Sequence, residues 1–157
     1  MRVISGSARG KKLVSLEGMN TRPTLDRVKE ALFNIIQFDI ADKTVLDLFA
    51  GSGAIGIEAI SRGAKSVTFC DNSIDAIKAI KTNIENTKTS NKATVLNKDY
   101  MQALKYLAKN NIQFDIIYLD PPYKTEFANI AIKEIINLNL LSKDGIIIVE
   151  TDDAKKE

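Results

Sequence analysis

Short runs of β-branched and aromatic residues alternate along the chain with longer stretches in which apolar residues recur three and four positions apart. The short runs predict β-strands and the longer stretches predict amphipathic helices. Several runs are apolar almost throughout, which is typical of parallel strands that are covered on both faces. One helix followed by repeated strand-helix units predicts an α/β fold with helices on both faces of the sheet. The five expected strands span residues 44–49, 66–70, 93–96, 114–119 and 145–150.

Boundary residues add detail to this pattern. Residues 2–16 hold two short apolar runs separated by Gly6 and Gly10, which predict a small hairpin appended to the sheet. No linker rich in Pro, Gly or Ser divides the chain, so we expect one domain over residues 1–157 with a basic amino-terminal extension over residues 1–20. The expected helix N-caps are Thr24, Ser73 and Thr125.

Composition narrows the chemistry. The 157 residues include no His and one Cys, Cys70, which excludes disulfides, Cys/His zinc sites and His-dependent triads. Catalysis must therefore rest on carboxylates, hydroxyls, amides, Lys/Arg or a bound cofactor, and no metal site is expected. No apolar run approaches the roughly 20 residues of a membrane helix, and no apolar leader is visible, so we expect a cytoplasmic protein without a membrane partner.

Charge is unevenly distributed although the net charge is only +2. Residues 1–30 carry seven Lys/Arg against three Asp/Glu, whereas the remainder carries fifteen against seventeen. A basic amino-terminal segment on a slightly acidic body suggests a polyanionic partner. An ordinary solvated basic segment explains the charge alone equally well.

A glycine-rich loop follows the first predicted strand. Gly51, Gly53 and Gly56 spell G-x-G-x-x-G, and Asp71 comes twenty residues after Gly51 at the end of the second strand. Glycines permit a sharp turn from strand to helix and a close approach of a ligand to the backbone, while a carboxylate at the second strand end can accept bonds from ribose hydroxyls. This is a nucleotide-binding pattern, and an NAD(P)-dependent oxidoreductase is one interpretation of it.

Asp47 favours a different cofactor. Its carboxylate, four residues before Gly51, would repel a pyrophosphate but suits the cationic methionyl end of S-adenosylmethionine. The pattern D-x-F-x-G-x-G resembles the cofactor loop of class I methyltransferases. That resemblance implies a Rossmann-like sheet with strand order 3-2-1-4-5 and a role for Asp99 with the adenine amino group, although Asp99 could equally be a plain helix cap. The residues expected to hold S-adenosylmethionine are Asp47, Phe49, Gly51, Ser52, Gly53, Asp71, Asp99 and Tyr100.

The fourth predicted strand runs directly into Asp120, Pro121, Pro122 and Tyr123. The exocyclic amine of a nucleobase is a poor nucleophile because its lone pair is delocalised into the ring. Asp120 and the carbonyl of Pro121, held by two prolines of fixed φ, can accept hydrogen bonds from such an amine. The ring of Tyr123 offers a stacking face for the base. These four residues are the expected catalytic set.

Two stretches of sequence identify a family. The Asp-Pro-Pro-Tyr segment matches the (D/N/S)-P-P-(Y/F/W) motif of amino-methyltransferases. The amino-terminal text, with Arg-Val-Ile-Ser-Gly at 2–6, Arg-Gly-Lys-Lys-Leu at 9–13, Thr-Arg-Pro-Thr at 21–24 and Asp-Arg-Val-Lys-Glu-Ala-Leu-Phe-Asn at 26–34, resembles the RsmD-like 16S ribosomal RNA methyltransferases over essentially the whole chain.

This resemblance implies methylation of a guanine N2 amine in 16S ribosomal RNA, with the RNA or the small ribosomal subunit as partner and a monomeric enzyme. It also implies that the basic amino-terminal segment and the Arg-Pro-Thr stretch lie beside the active site. A solvated surface role remains equally open for each candidate phosphate contact. These candidates are Arg9, Lys11, Lys12, Arg22 and Arg27.

One departure and three alternatives accompany this interpretation. Class I methyltransferases usually add a sixth strand and an antiparallel seventh, and this carboxyl-terminal hairpin is expected to be missing here. The alternatives are methylation of a protein amine or of another nucleic-acid amine such as adenine N6 or cytosine N4, an NAD(P)-dependent oxidoreductase, and an RNA-binding module without catalytic activity.

Overall fold

A computed structural model describes residues 1–16, 22–122 and 124–150, without the side chains of residues 22–25, 124 and 125. Its elements follow the predicted alternation of helices and strands. In chain order they are α1 (Arg22–Ile36), β1 (Thr44–Asp47), α2 (Ala54–Ser61), β2 (Ser66–Asp71), α3 (Ile74–Thr87), a short 3-10 turn (Ser90–Lys92), β3 (Ala93–Asn97), α4 (Tyr100–Lys109), β4 (Phe114–Leu119), α5 (Lys124–Asn137) and β5 (Leu141–Val149).

The five strands form one parallel sheet in the order β3-β2-β1-β4-β5, which confirms the expected fold class and topology. β5 is longer than predicted and begins at Leu141 rather than Gly145. Leu141 pairs with Phe114, and the register then shifts before Ile116 pairs with Ile146. A sequence pattern does not show such an irregularity, because the exposed Lys143 and Asp144 within it look like a turn.

Side chains alternate between the two faces of the sheet, and each face carries its own core. Val45 packs in a cluster with residues of α1, α2 and α3, whereas its neighbour Leu46 packs with residues of α4 and α5. Three helices therefore cover one face and two cover the other. This layering leaves the two ends of the strands as the open edges of the molecule.

The helix boundaries correct two predicted caps. Ser73 caps α3 as predicted, because its Oγ accepts the N–H of Ala76 at 3.2 Å. The caps predicted at Thr24 and Thr125 are wrong, since α1 begins at Arg22 and α5 begins at Lys124. Both threonines thus lie inside the first turn of their helices. Pro23 is compatible with the first turn of α1, because its fixed φ suits a helix start.

The first sixteen residues, which we call the arm, pair with themselves rather than with the sheet. Arg2 and Lys12 form an isolated antiparallel bridge, so the predicted hairpin pairing exists in a minimal form. Its expected attachment to the sheet is wrong, because the arm lies against α2: Ser7 donates its N–H to the carbonyl of Ser61 at 2.8 Å. Helix α2, rather than a strand edge, accepts backbone N–H groups of the arm through the carbonyl of Ser61 and the side chains of Glu58 and Ser61.

The buried carboxylate of Glu58 in α2 holds the beginning of the arm. It accepts the N–H groups of Ile4 at 2.9 Å and Ser5 at 3.1 Å. It also pairs with Arg62 at 2.7 Å and with the buried ammonium of Lys29 at 3.3 Å. Burial lowers the pKa of Lys29, although the charge of Glu58 opposes that change.

Among the described residues, no helix combines the length and apolar character needed to cross a membrane.

Candidate active site

The carboxyl ends of the parallel strands meet at one edge of the sheet, and the chain reverses its strand order between β1 and β4. Ligands of open α/β sheets bind at this point. A cavity of about 540 Å³ opens there. It is lined by Leu48, Phe49, Gly51, Asp71, Asn72, Lys98, Asp99, Tyr100, Asp120, Pro122 and Phe127.

Asp71 organises the glycine loop. Its Oδ2 accepts the N–H of Gly51 at 2.9 Å, and its Oδ1 accepts the N–H of Ser73 at 2.9 Å. The loop then reaches α2 through Gly53, whose φ of 84° lies in the left-handed region that favours glycine. Asp71 is therefore a structural ligand of the loop as well as part of the cavity wall.

Asp47 lies behind this wall rather than in it. The residue is only 1% exposed; its Oδ2 accepts the N–H of Gly56 at 3.3 Å, and its Oδ1 has no hydrogen-bond partner within the described residues. Burial, reinforced by the charges of Asp120 and Asp71, raises the pKa of Asp47 to about 7. The amide of Gly56 in the first turn of α2 thus already faces a carboxylate, which disfavours a pyrophosphate there.

Three aromatic rings form an apolar wall of the cavity. The ring centroids of Phe49 and Tyr100 are 5.3 Å apart, and those of Tyr100 and Phe127 are 5.4 Å apart with planes inclined by 29°. Such a wall suits a flat, uncharged ring. Phe127 was not predicted as a site residue, because helical periodicity does not separate a core aromatic from one beside a cavity.

Asp99 caps a helix and also lines the cavity. Its Oδ1 accepts the N–H of Gln102 at 2.9 Å and so caps α4, while the same residue lines the cavity. The residues next to the predicted carboxylates, Asn72 and Lys98, also line the cavity and were not predicted. Their position directly at strand ends was the available signal.

The Asp-Pro-Pro segment lies across the cavity from the glycine loop. Asp120 and Pro122 line the cavity, and Pro121 is buried behind them. The register pairs Asp47 of β1 with Tyr118 of β4, which brings Asp120 near Asp47. Burial and the nearby Asp120 charge both raise the pKa of Tyr118. Tyr123 lies outside the described residues.

Ser52 and Gly53 are part of the loop but do not line the cavity. Ser52 is 3% exposed, and its carbonyl accepts Nδ2 of Asn83 at 2.9 Å. The same Nδ2 donates to the carbonyl of Val14 at 3.0 Å, and Oδ1 of Asn83 accepts the N–H of Val14 at 2.7 Å. The end of the arm also contacts the loop, since a Cβ built on Gly51 would lie 4.0 Å from Leu16. Asn83, which sequence reasoning missed, therefore joins the arm to the loop.

The candidate RNA contacts are not all near the cavity. Arg9, Lys11 and Lys12 are exposed, but the turn that carries Arg9 is bound to Ser61 at the carboxyl end of α2. Because eight helical residues span about 12 Å, this turn lies well away from the glycine loop at the other end of α2. The expectation that the basic segment lies beside the active site thus fails for Arg9. Arg27 is exposed on α1, and the side chain of Arg22 lies outside the described residues.

Known proteins share both the sequence and the architecture. The sequence profile of the family described as conserved hypothetical protein 95 matches residues 1–157. Ribosomal RNA small subunit methyltransferase D of Haemophilus influenzae (strain ATCC 51907 / DSM 11121 / KW20 / Rd) is 40% identical over 156 residues, which cover 99% of this chain and 80% of that protein.

Solved structures agree with the sequence comparison. The hypothetical protein TTHA0928 of Thermus thermophilus superimposes with a TM-score of 0.80 at 27% identity, over 94% of this chain and 83% of that one. The SAM-dependent methyltransferase from Agrobacterium tumefaciens shares the fold alone, with a TM-score of 0.64 at 22% identity over 81% of this chain and 44% of that one. The chain therefore has the class I methyltransferase fold and belongs to the conserved hypothetical protein 95 family, the family of ribosomal RNA small subunit methyltransferase D.

Proposed function

We propose that this chain transfers a methyl group from S-adenosylmethionine to the exocyclic N2 amine of a guanine in 16S ribosomal RNA. The observation that carries the proposal is the position of Asp120, which lines the same cavity as Gly51, Asp71 and Asp99. One cavity thus combines a nucleotide loop with a carboxylate suited to a base amine. The kinship to a small subunit methyltransferase supports the RNA class of the substrate.

The donor set fits S-adenosylmethionine better than a dinucleotide. In this proposal Asp71 accepts hydrogen bonds from the ribose hydroxyls, and the adenine ring packs against the wall formed by Phe49, Tyr100 and Phe127, all of which line the cavity. The unpartnered oxygen of Asp47 favours a cation in front of the loop, which the methionyl ammonium and the sulfonium provide. An NAD pyrophosphate would bring negative charge to the same carboxylates.

When bound, S-adenosylmethionine supplies a methyl group already activated by the sulfonium charge. Asp120 then accepts a hydrogen bond from the base amine, and the carbonyl of Pro121 is the proposed second acceptor. These contacts orient the amine for an in-line approach, and alignment of this kind lowers barriers by about 7–11 kcal/mol. After transfer, the proton of the product amine leaves through Asp120 or water. Tyr123 is the proposed stacking partner of the base.

A labelled-methyl assay tests the proposal. Unmodified 16S ribosomal RNA and small subunits assembled on it are incubated with the protein and methyl-labelled S-adenosylmethionine, then digested to nucleosides. We expect label in N2-methylguanosine. Asp120→Asn keeps the shape but removes the charge, and we expect the rate to fall by about 10²–10³, as for loss of one preorganised polar contact.

Binding of S-adenosylhomocysteine, measured by calorimetry, should change by less than about threefold in Asp120→Asn. The matched control is Asp39→Asn, an exposed aspartate outside the cavity, which should retain full activity. Label in N6-methyladenosine or N4-methylcytidine would refute the guanine assignment. A wild-type protein that binds NADH but not S-adenosylhomocysteine would refute methyl transfer altogether.

A further inference from the structure

The cavity mouth is poorly suited to hold the phosphates of RNA. Among the described residues, Asp71, Asp99 and Asp120 line it against a single lining cation, Lys98, and Asp47 lies buried behind them. Affinity for nucleic acid comes largely from Lys and Arg contacts to phosphates. The carboxylates at this mouth instead repel phosphates. Within the part of the chain that the structure describes, the phosphates of the proposed RNA substrate therefore find more favourable partners away from this mouth.

The opposite edge of the sheet carries the positive charge. In a parallel sheet all strands begin at one edge, and here exposed lysines precede three adjacent strands: Lys43 before β1, Lys65 before β2 and Lys92 before β3. Lys88, exposed at the carboxyl end of α3, lies at the same edge. The turn of the arm adds the exposed Arg9 and Lys11 to this edge. We name these six residues the basic rim.

Backbone contacts show that the basic rim is continuous. Lys65 donates its N–H to the carbonyl of Lys43 at 2.8 Å. The register pairs Val67 with Ala93, so Lys65 and Lys92 lie at the starts of neighbouring strands.

The arm completes the basic rim from the side of α2. Ser61 accepts the N–H of Ala8 on its Oγ at 2.9 Å, and it is followed by Arg62 and then by Lys65. Arg9 and Lys11 are thus anchored within a few residues of the lysines at the strand starts.

Carboxylates near the basic rim do not cancel it. Asp39, Asp42 and Glu85 are exposed on the adjoining loop or the last turn of α3, and the half-buried Asp115 lies near Lys43 at the start of β4. The six cations of the basic rim outnumber these four carboxylates. Glu58 is buried and already paired with Lys29 and Arg62. A surface with this excess of positive charge attracts a polyanion, whereas the cavity edge attracts cations.

We infer that the basic rim is a phosphate-binding surface for structured RNA, opposite the cavity that receives the target base. The inference rests on the proposed function and identifies the surface that binds the phosphates of the RNA substrate. Strands of four to six residues separate the two edges by roughly 13–20 Å. The RNA must therefore extend along the side of the molecule, and a folded RNA can do so while it presents a base to the cavity.

Salt-dependent RNA binding tests this inference. The rim variant Lys65→Gln with Lys92→Gln is compared with the control Lys105→Gln with Lys133→Gln, which removes the same charge from exposed positions on α4 and α5. Binding of transcribed 16S ribosomal RNA is measured by filter retention across a series of KCl concentrations. We expect the rim variant to bind roughly tenfold more weakly near 0.1 M salt and its log-log salt slope to fall by about 1.4–1.8, the value for two lost phosphate contacts.

The control should remain within about twofold of the wild type, and the charge-retaining variant Lys65→Arg with Lys92→Arg should bind as the wild type does. Both glutamine variants should bind S-adenosylhomocysteine normally. Equal losses in rim and control variants would overturn the inference, because they would reflect net charge alone. A loss seen with assembled subunits but not with protein-free RNA would also overturn it in favour of a protein contact. Failure of the wild type to bind the RNA would instead count against the proposed function.

Discussion

Asn83 is predicted to hold the arm on the glycine loop, and the variant Asn83→Asp tests this. The substitution keeps the shape and the oxygen that accepts the N–H of Val14, but it replaces the Nδ2 that donates to the carbonyls of Val14 and Ser52. The carbonyl of Val14 belongs to an exposed residue, so its lost bond costs about 0.5–1.5 kcal/mol. The carbonyl of the buried Ser52 is left unsatisfied, which costs about 1–3 kcal/mol.

The free energy of unfolding should therefore fall by about 1.5–4.5 kcal/mol, measured by urea denaturation at pH 7. The chain should stay folded, since domains of this size are typically stable by about 5–15 kcal/mol. The matched control is Asn86→Asp, an exposed asparagine of the same helix, which should change stability by less than about 0.5 kcal/mol.

A second measurement separates local release of the arm from general destabilisation. Trypsin cleaves after Lys11 and Lys12, which the docked arm keeps in a fixed backbone conformation. Cleavage there should accelerate in Asn83→Asp under conditions where the rest of the chain stays intact. An unfolding free energy equal to that of Asn86→Asp, or unchanged trypsin cleavage, would refute the role assigned to Asn83.

Three further substitutions should act through other contacts. Gly56→Ala should lower the unfolding free energy by at least about 1–3 kcal/mol in a urea titration, because the added Cβ would lie 2.3 Å from the ring of Phe69. Asp47→Asn should remove a pH dependence of stability. The pKa of Asp47 is about 7 in the folded protein against 3.8 for an ordinary aspartate, so its ionisation costs the folded state up to about 4 kcal/mol. Wild-type stability should therefore fall as the pH rises from 4 to 7. Glu58→Gln removes the ion-pair partner of buried Lys29 and should cost about 3–5 kcal/mol in thermal or urea unfolding.

Each of these substitutions has its own control and contrary outcome. Gly10→Ala meets nothing within 4 Å and should cost only the strain of a positive φ, so a similar loss at both glycines would exclude a clash. Asp39→Asn should leave the pH profile of stability unchanged. A stability that rises between pH 4 and 7 in the wild type, but not in Asp47→Asn, would contradict the expected direction. Glu85→Gln is exposed and should be nearly neutral; equal losses at Glu58 and Glu85 would argue against the buried pair.

Local pattern was sufficient for much of the fold. The five strands were found because their apolar runs reflect burial on both faces. The cavity carboxylates Asp71 and Asp120 were found because each lies at or directly after the end of a strand, whereas Asp99, two residues after β3, was found through the resemblance to class I methyltransferases. Boundaries were less accurate where a neighbouring segment decided them. β5 gained its first residues by pairing with Phe114, which no property of residues 141–144 indicates.

The candidate site shows the same division. Phe127 and Lys98 were missed because a helix period or a single cation does not reveal which side faces a cavity. Asp47 was predicted as a residue of the cofactor site, but its burial was not predicted, because that burial depends on how α2 packs over β1.

Periodicity and short motifs encode the order of elements, the parallel sheet, the glycine loop and the acids at the strand ends, because each of these features depends on residues close together in the chain. The position of the arm is different, since it follows from contacts such as Asn83 to Val14 and Glu58 to Ile4 that join residues 69 and 54 positions apart. The separation of charge is also a property of the folded molecule, because lysines scattered along the chain become the basic rim only when parallel strands start at one edge. Contacts between distant segments set both features, and no local pattern in the chain records them.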